Sequence, residues 1–202
     1  MASRPEGDVS EAKHELRLEM RRRRAKVAPA TRADFATALP DLLSNHLEET
    51  EQRSRLAAVA LYCAKGDEAP AESLLELTSD HGFIAYPRVV DRERMVFHRV
   101  SDPSELELGL FGVREPTPAS PVVLPGALRL IAIPGLAFDR RGGRLGWGRG
   151  YYDSALLEHP DALRVGIAYS TQLIDAVPTD EWDVAVDLII TEEGIIQCKP
   201  CI

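Results

Sequence analysis

The chain has 202 residues, 45% of them hydrophobic, which supplies enough apolar area for the core of one domain. Its net charge of −8 argues against a general nucleic-acid binder, because a phosphate backbone favours basic faces. No apolar run approaches the roughly 18–20 residues that span a bilayer, the polar N-terminus lacks a signal-peptide core, and three cysteines make an odd set, so the expectation is a cytoplasmic protein without a disulfide framework or membrane partner.

Residues 1–9 read as disordered and 10–202 as a single domain. Ser10 is placed to cap a helix over 11–26, whose Lys13, Arg17 and four-arginine run at 21–24 make a basic face in an acidic chain. A second helix is expected over 31–51, with Phe35, Leu39, Leu42, Leu43 and Leu47 as its buried stripe and Pro40 bending or dividing it. A buried strand at 56–63 then releases the loop 64–69, which carries Glu68. A helix over 71–81 leads to strands at 82–87 and 95–100, followed by an irregular, proline-rich stretch from 101 to 125.

The apolar run 128–133 stops at Pro134 and Gly135, as a buried strand does before a loop. In that loop Gly142, Gly143, Gly146, Gly148 and Gly150 crowd together with Arg144 and Arg149, and Tyr151, Tyr152 and Asp153 stand at the exit. Residues without a Cβ let successive amide N–H groups turn toward one point, the geometry of an anion nest, and a helix over 151–158 would set its N-terminus beside the guest. Phosphate is the natural guest, and Asp153 either caps that helix or holds a divalent cation on the phosphate oxygens. The alternative is a turn whose arginines are merely solvated. Strands at 163–169, 188–191 and 194–197 follow, with a short helix at 171–176 between the first two. Alternating helices and apolar strands predict an α/β; three-layer α/β/α sandwich with a mainly parallel sheet. Cys198 and Cys201 form a C-terminal CxxC, read as incidental because a zinc site needs about two more ligands.

The segment 134–153 matches neither nucleotide loop of the GxxxxGK[ST] or GxGxxG kind. Written PGLAFDxxGxRLGxGxGYYD, it resembles the signature of the 5-formyltetrahydrofolate cyclo-ligase (5,10-methenyltetrahydrofolate synthetase) family, with every fixed position filled. Similarity extends along nearly the whole chain: a KxxxR helix matched by Lys13 and Arg17, a GxFGIxEP segment at 109–116 with Val113 in the isoleucine place, and a VPxxxHDxxxD pattern at 177–187 in which Trp182 stands for histidine.

The resemblance implies the fold of ribose-phosphate isomerase and CoA transferases, and an ATP- and Mg²⁺-dependent ligase acting on 5-formyltetrahydrofolate as a monomer. ATP would be held by Lys13, Arg17, Arg144, Leu145, Gly146, Trp147, Gly148, Arg149, Gly150, Tyr151 and Tyr152. The folate would meet Cys63, Glu68, Trp147, Gly148, Arg149, Gly150 and Tyr151, with Phe111 walling its pteridine or simply filling core. Arg144, Arg149 and Tyr151 would be catalytic, and Asp153 and Asp183 would bind the metal, with Asp187 a weaker candidate. None of the five histidines falls in these motifs, so none is assigned. Other classes on such a scaffold are a binding module without turnover, against which the intact Glu68, Asp153 and Asp183 weigh, and a sugar-phosphate isomerase or CoA transferase, which ATP dependence would separate.

Overall fold

The computed structural model describes residues 6–78, 82–92 and 94–198. Seven strands form one sheet: β1 (Ala58–Ala60), β2 (Phe83–Val89), β3 (Met95–Val100), β4 (Leu130–Ile133), β5 (Leu163–Ile167), β6 (Leu188–Thr191) and β7 (Gly194–Gln197). Their spatial order is β7-β6-β5-β4-β1-β2-β3. The five inner strands run parallel, and the edges β3 and β7 are antiparallel. Inner strands β4 and β6 are buried at every position, as their unbroken LIAI and LIIT demand, because a parallel sheet is covered on both faces.

Alternation along the strands sends side chains into two cores. Val59, Leu130 and Ala132 face α2 (Pro29–Glu49), which buries Phe35, Leu39, Leu43 and Leu47. Ala60, Ile131 and Ile133 face α3 (Tyr151–Leu157) through Ala155 and Leu156. A smaller cluster docks α1 (Glu6–Ala25) on the loop after β4: Met20 packs with Leu136, Ala137, Leu145 and Val177. Among the described residues no helix is long and apolar enough to cross a membrane.

Several expected elements come out differently. Helix α1 starts at Glu6, so Ser10 lies inside it rather than at its start, and part of the expected 1–9 disorder is helical. Helix α2 begins at Pro29, whose fixed φ suits a first turn, and it runs unbroken past Pro40, whose buried ring offsets the missing N–H. The expected helix 71–81 is a 3₁₀ segment, Ala71–Leu77, ended where Thr78 turns its own hydroxyl onto the Leu75 carbonyl (2.6 Å); 79–81 lie outside the described residues. Residues 53–57 form a 3₁₀ turn, and β1 is confined to three residues. The stretch 101–125 contains a small hairpin, Glu107–Leu108 with Arg114–Glu115, latched to β2 where the Val89 N–H donates to Glu115.

Strand order reverses between β1 and β4. From β1 the chain moves outward on one side to β2, whereas β4, paired on its other side, moves outward to β5 and β6. The loops leaving β1 and β4 therefore diverge onto opposite faces and open a crevice at the strands' carboxyl ends, the place where open α/β sheets bind ligands.

Candidate active site

Three loops and one helix build this crevice. After β1 comes 64–69, after β4 comes 134–150, and beyond β5 comes 177–187. Helix α1 lies across all three and contacts each with a cationic side chain. Lys13 donates to Asp180 (2.7 Å) and Asp183 (2.6 Å); Arg17 Nε donates to the Gly146 carbonyl (3.0 Å); Arg24 reaches Asp67 (2.8 Å) and Glu68 (3.6 Å). Positions 13, 17 and 24 share a face at helical spacing, so one apolar anchor, Met20, sets all of them.

The glycine loop is shaped by what presses on it. Gly148 has φ +91°, a backbone conformation that favours glycine, and a Cβ there would fall 3.0 Å from the Arg17 guanidinium carbon and push that side chain aside. Gly135 faces the ring of Phe138, which leaves 2.5 Å for a Cβ. The turn between Phe138 and Arg144, two short paired strands, is stapled by Asp139: its carboxylate accepts from the N–H groups of Arg141 (2.8 Å), Gly143 (3.1 Å) and Val177 (2.8 Å). Burial pushes the Asp139 carboxyl up, but these donors and the Arg141 charge outweigh it and hold the group below its ordinary range. Gln172 closes the base of the loop, donating to the carbonyls of Gly135 (2.8 Å) and Leu136 (3.2 Å).

Beneath the loop, buried Arg144 donates from Nη2 to both oxygens of Asp153 (2.9 and 3.0 Å), which also accepts from the Val184 N–H (3.1 Å). Asp153 stands in the first turn of α3 and makes no cap, which removes one of its two expected roles. The Val184 N–H that Asp153 accepts belongs to the residue that follows Asp183. Among the described residues no three His, Cys, Asp or Glu side chains are arranged to hold a metal by themselves. The donors present are carboxylate oxygens, and they suit Mg²⁺, which is commonly held by one or two carboxylates together with substrate phosphates and water. Lys13 sits between Asp180 and Asp183; burial alone would lower its pKa, and the two carboxylates raise it instead.

On the β1 side, Trp147 reaches across the crevice and its Nε1 donates to Glu68 Oε1 (3.1 Å), while the other oxygen accepts from the Lys65 N–H (2.9 Å). The guanidinium carbons of Arg21 and Arg24 lie 5.4 and 5.6 Å from the Trp147 ring. Phe111 sits at φ +62°, uncommon for a bulky residue, with its ring half exposed and the Arg149 guanidinium 5.4 Å away; Lys65 Nζ donates to its carbonyl. Cys63 borders a cavity of about 290 Å³ with Lys65, Glu72, Tyr86, Val113 and Arg114. Burial pushes its thiol up to about 11, with the Glu72 charge adding to the effect.

The expected residues thus divide. Lys13, Arg17, Glu68, Gly146, Trp147 and Gly148 come together around the crevice, with Asp153 and Asp183 on one flank and Arg149 on the other. Leu145 is 1% exposed and its side chain fills the small core under α1, so it offers no side chain to a ligand. Tyr152 turns inward onto Phe97, with ring centroids 6.5 Å apart, and Tyr151 donates to the Asp91 carbonyl (3.3 Å). Asp187 lies away from the crevice, where its carboxylate receives the Arg164 N–H at the entrance to β5 (2.8 Å). Of the CxxC, Cys201 lies outside the described residues, and Cys198 is a free thiol pushed up to about 12 by burial. Nothing in the sequence marks Asp67 or Asp180, Asp139 is a fixed position of the 134–153 signature to which the resemblance assigns no role, and Arg24 is one of four in a run. The signal for Arg24 is its place on the Lys13–Arg17 face.

With this geometry in place, comparison with known proteins gives a consistent result. The family model described as the 5-formyltetrahydrofolate cyclo-ligase family matches residues 9–192. A 5-formyltetrahydrofolate cyclo-ligase of Mycolicibacterium smegmatis is 31% identical, covering 93% of this chain and 98% of its own; that of Haemophilus influenzae is 24% identical, covering 90% and 98%. An NMR structure of the Aquifex aeolicus 5,10-methenyltetrahydrofolate synthetase superposes with a TM-score of 0.76 at 34% identity, over 92% of each chain. A synthetase structure from Mycoplasma pneumoniae gives a TM-score of 0.71 at 24% identity, over 89% and 98%, a likeness of fold.

Proposed function

This chain belongs to the 5-formyltetrahydrofolate cyclo-ligase family, and from that premise we propose that it converts 5-formyltetrahydrofolate and ATP to 5,10-methenyltetrahydrofolate, ADP and phosphate. The observation that carries this reading is the meeting of the two halves of such a site: Arg17 against the glycine loop, and Glu68 hydrogen-bonded to Trp147 of that same loop.

The formyl oxygen is an amide oxygen and leaves poorly. Transfer of the γ-phosphoryl group to it breaks the bond to ADP and forms an iminium phosphate. The N10 lone pair then attacks the activated carbon, the C–O bond breaks with phosphate as leaving group, and the N10 proton is lost to give the methenyl bridge. Phosphoryl transfer depends on positioning and on charge stabilisation. In this proposal Lys13, Arg17 and Arg149 supply cations around the triphosphate, together with N–H groups of the loop 146–150. Arg144, buried, acts by orienting Asp153. Asp153 and Asp183 would hold Mg²⁺, which when bound neutralises phosphate charge. Glu68 would accept hydrogen bonds from the pterin, and Cys63 and Phe111 would border it; Tyr151 would close the folate side. The finer fold assignment, shared with ribose-phosphate isomerase and CoA transferases, and action as a cytoplasmic monomer belong to the same proposal.

Mixing the protein with Mg·ATP and 5-formyltetrahydrofolate should produce the methenyl chromophore with one ADP per turnover; a chromophore that ignores ATP, or ADP release without it, would reject the reading. Asp153→Ala should reduce turnover by about 10²-fold or more, because the substitution removes the Mg²⁺ carboxylate and leaves the buried Arg144 charge unpaired. Full activity at limiting Mg²⁺ would remove Asp153 from the metal site.

A further inference from the structure

Arg24 is 2% exposed, so it cannot touch ATP as the neighbouring exposed arginines 21–23 can, and no step of the proposed reaction uses it. A buried guanidinium persists only where its donors are met. Here Nε (3.0 Å) and Nη2 (2.8 Å) both meet Asp67 Oδ1, and Nη1 faces the Gly135 carbonyl (3.5 Å) and Glu68 Oε1 (3.6 Å). The partners come from both diverging loops, so this one side chain ties the end of β1 to the end of β4 from above.

We propose that Arg24, fixed through Asp67, is a positioning residue that presets Glu68 and Trp147 for the folate, a role that rests on the reading of Glu68 as a substrate contact. Glu68 would otherwise be a long carboxylate on a turn, free to sample many rotamers. In this structure its side chain is 8% exposed, pressed by Arg24 and Trp147 on Oε1 and by the Lys65 N–H on Oε2. The backbone beneath it is held as well, by Tyr62 donating to the Ala69 carbonyl (2.6 Å). Arg24 also lies over the indole whose N–H Glu68 accepts, so the acid and the ring are set by the same cation. The fork matters as much as the charge: one ammonium could not reach Asp67, Glu68 and the Gly135 carbonyl at once.

The test uses the full chain in a Trp182→Phe background. Trp182 is 76% exposed, and with two tryptophans in the sequence its removal leaves Trp147 as the sole indole reporter. Arg24→Gln, Arg24→Lys and Asp67→Asn should each raise the KM for 5-formyltetrahydrofolate by about tenfold or more, leave the KM for ATP within about twofold, and shift the Trp147 emission. Arg24→Gln combined with Glu68→Gln should cost little more than Glu68→Gln alone. Should the Arg24 variants fail to fold, Asp67→Asn, altering a partner with a quarter of its side chain in solvent, carries the same test. An unchanged folate KM, an equal rise in both KM values, or full rescue by lysine would overturn the proposal. Glu68→Ala, run alongside, separates the causes. If it moves the folate KM while the Arg24 and Asp67 variants do not, Arg24 alone loses its role. If it leaves that KM unchanged, the Glu68 assignment falls and takes the proposal with it.

Discussion

Both ends of helix α1 carry one cation between two carboxylates, and the two arrangements differ in how much water reaches them. At the N-terminal end Lys13 pairs with Asp180 and Asp183, whose side chains are 50% and 24% exposed. At the C-terminal end Arg24 pairs with Asp67 and Glu68, at 26% and 8%. The residue types follow the difference: an ammonium on a flexible stem suits partners that can exchange it for water or another ion, and a rigid guanidinium fork suits partners that cannot. The wet end includes Asp183, one of the two carboxylates proposed for Mg²⁺, where in that proposal ions would come and go. At the dry end lies Glu68, which in the proposed reaction would already be aimed when the folate arrives. A single helix thus serves as a scaffold at one end and as an exchangeable counter-ion at the other.

The comparison is most exposed to the replacement of Arg24 by an apolar residue. Arg24→Met should lower the free energy of unfolding by about 3 kcal/mol, because it leaves two carboxylates desolvated without their cation. Urea denaturation with an unchanged slope would measure it, and a loss no larger than that of the matching Lys13 substitution would abolish the distinction between the ends.

Asp139 extends the dry category to a charge held mainly by backbone N–H groups, with the Arg141 guanidinium 3.5 Å away. Asp139→Asn should cost about 2 kcal/mol near neutral pH, since the amide keeps one accepting oxygen and turns an NH₂ donor toward N–H groups that the second carboxylate oxygen would meet. The pH dependence has a definite sign. Asp139 has its carboxyl pKa lowered on folding, so its contribution is complete above the ordinary carboxylate value and fades as pH falls through the folded one. The gap between wild type and variant should therefore narrow below about pH 4, and a gap constant from pH 7 to 3 would show that the charge is not what stabilises the turn.

Much of this organisation is legible in the sequence, and the remainder is hidden for physical reasons. Unbroken apolar runs such as LIAI and LIIT read as inner strands, and Pro134–Gly135 marks where one ends. The family resemblance, carried by the crowded glycines and the Lys13–Arg17 spacing, implies that helix and loop share one ligand. Position in a motif does not say which way the side chains of Leu145, Tyr152 and Asp187 point: alternation along two paired residues sends Leu145 into the core, Tyr152 packs on Phe97, and Asp187 accepts from a neighbouring strand. Arg24 is obscured because four consecutive arginines look alike until the helix is docked and one of them is buried. Asp67 and Asp180 are ordinary loop acids until α1 supplies their counter-ions.

Lys13→Met probes the wet end and should have the smallest effect. The pair is partly solvated and the lysine stem can be replaced by another unbranched chain, so a stability loss of about 1 kcal/mol or less is expected, reduced further by salt. Lys13 has a raised pKa in the folded protein, so its contribution is complete below the ordinary lysine value and is lost only as pH rises through the folded one; it therefore makes no switch near neutrality. What the variant should gain is sensitivity to divalent cations. With the ammonium gone, Asp180 and Asp183 repel one another and have lost their internal counter-charge, so Mg²⁺ without nucleotide should raise the melting temperature of Lys13→Met more than that of wild type, and should do nothing of the kind for Arg24→Met. Because binding to the folded state alone stabilises by mass action, the size of that shift measures how far the lysine and the metal compete for the same carboxylates. Equal shifts in all three proteins would mean that Asp180 and Asp183 hold their lysine no more loosely than Asp67 holds Arg24, and that the two ends of the helix do the same job.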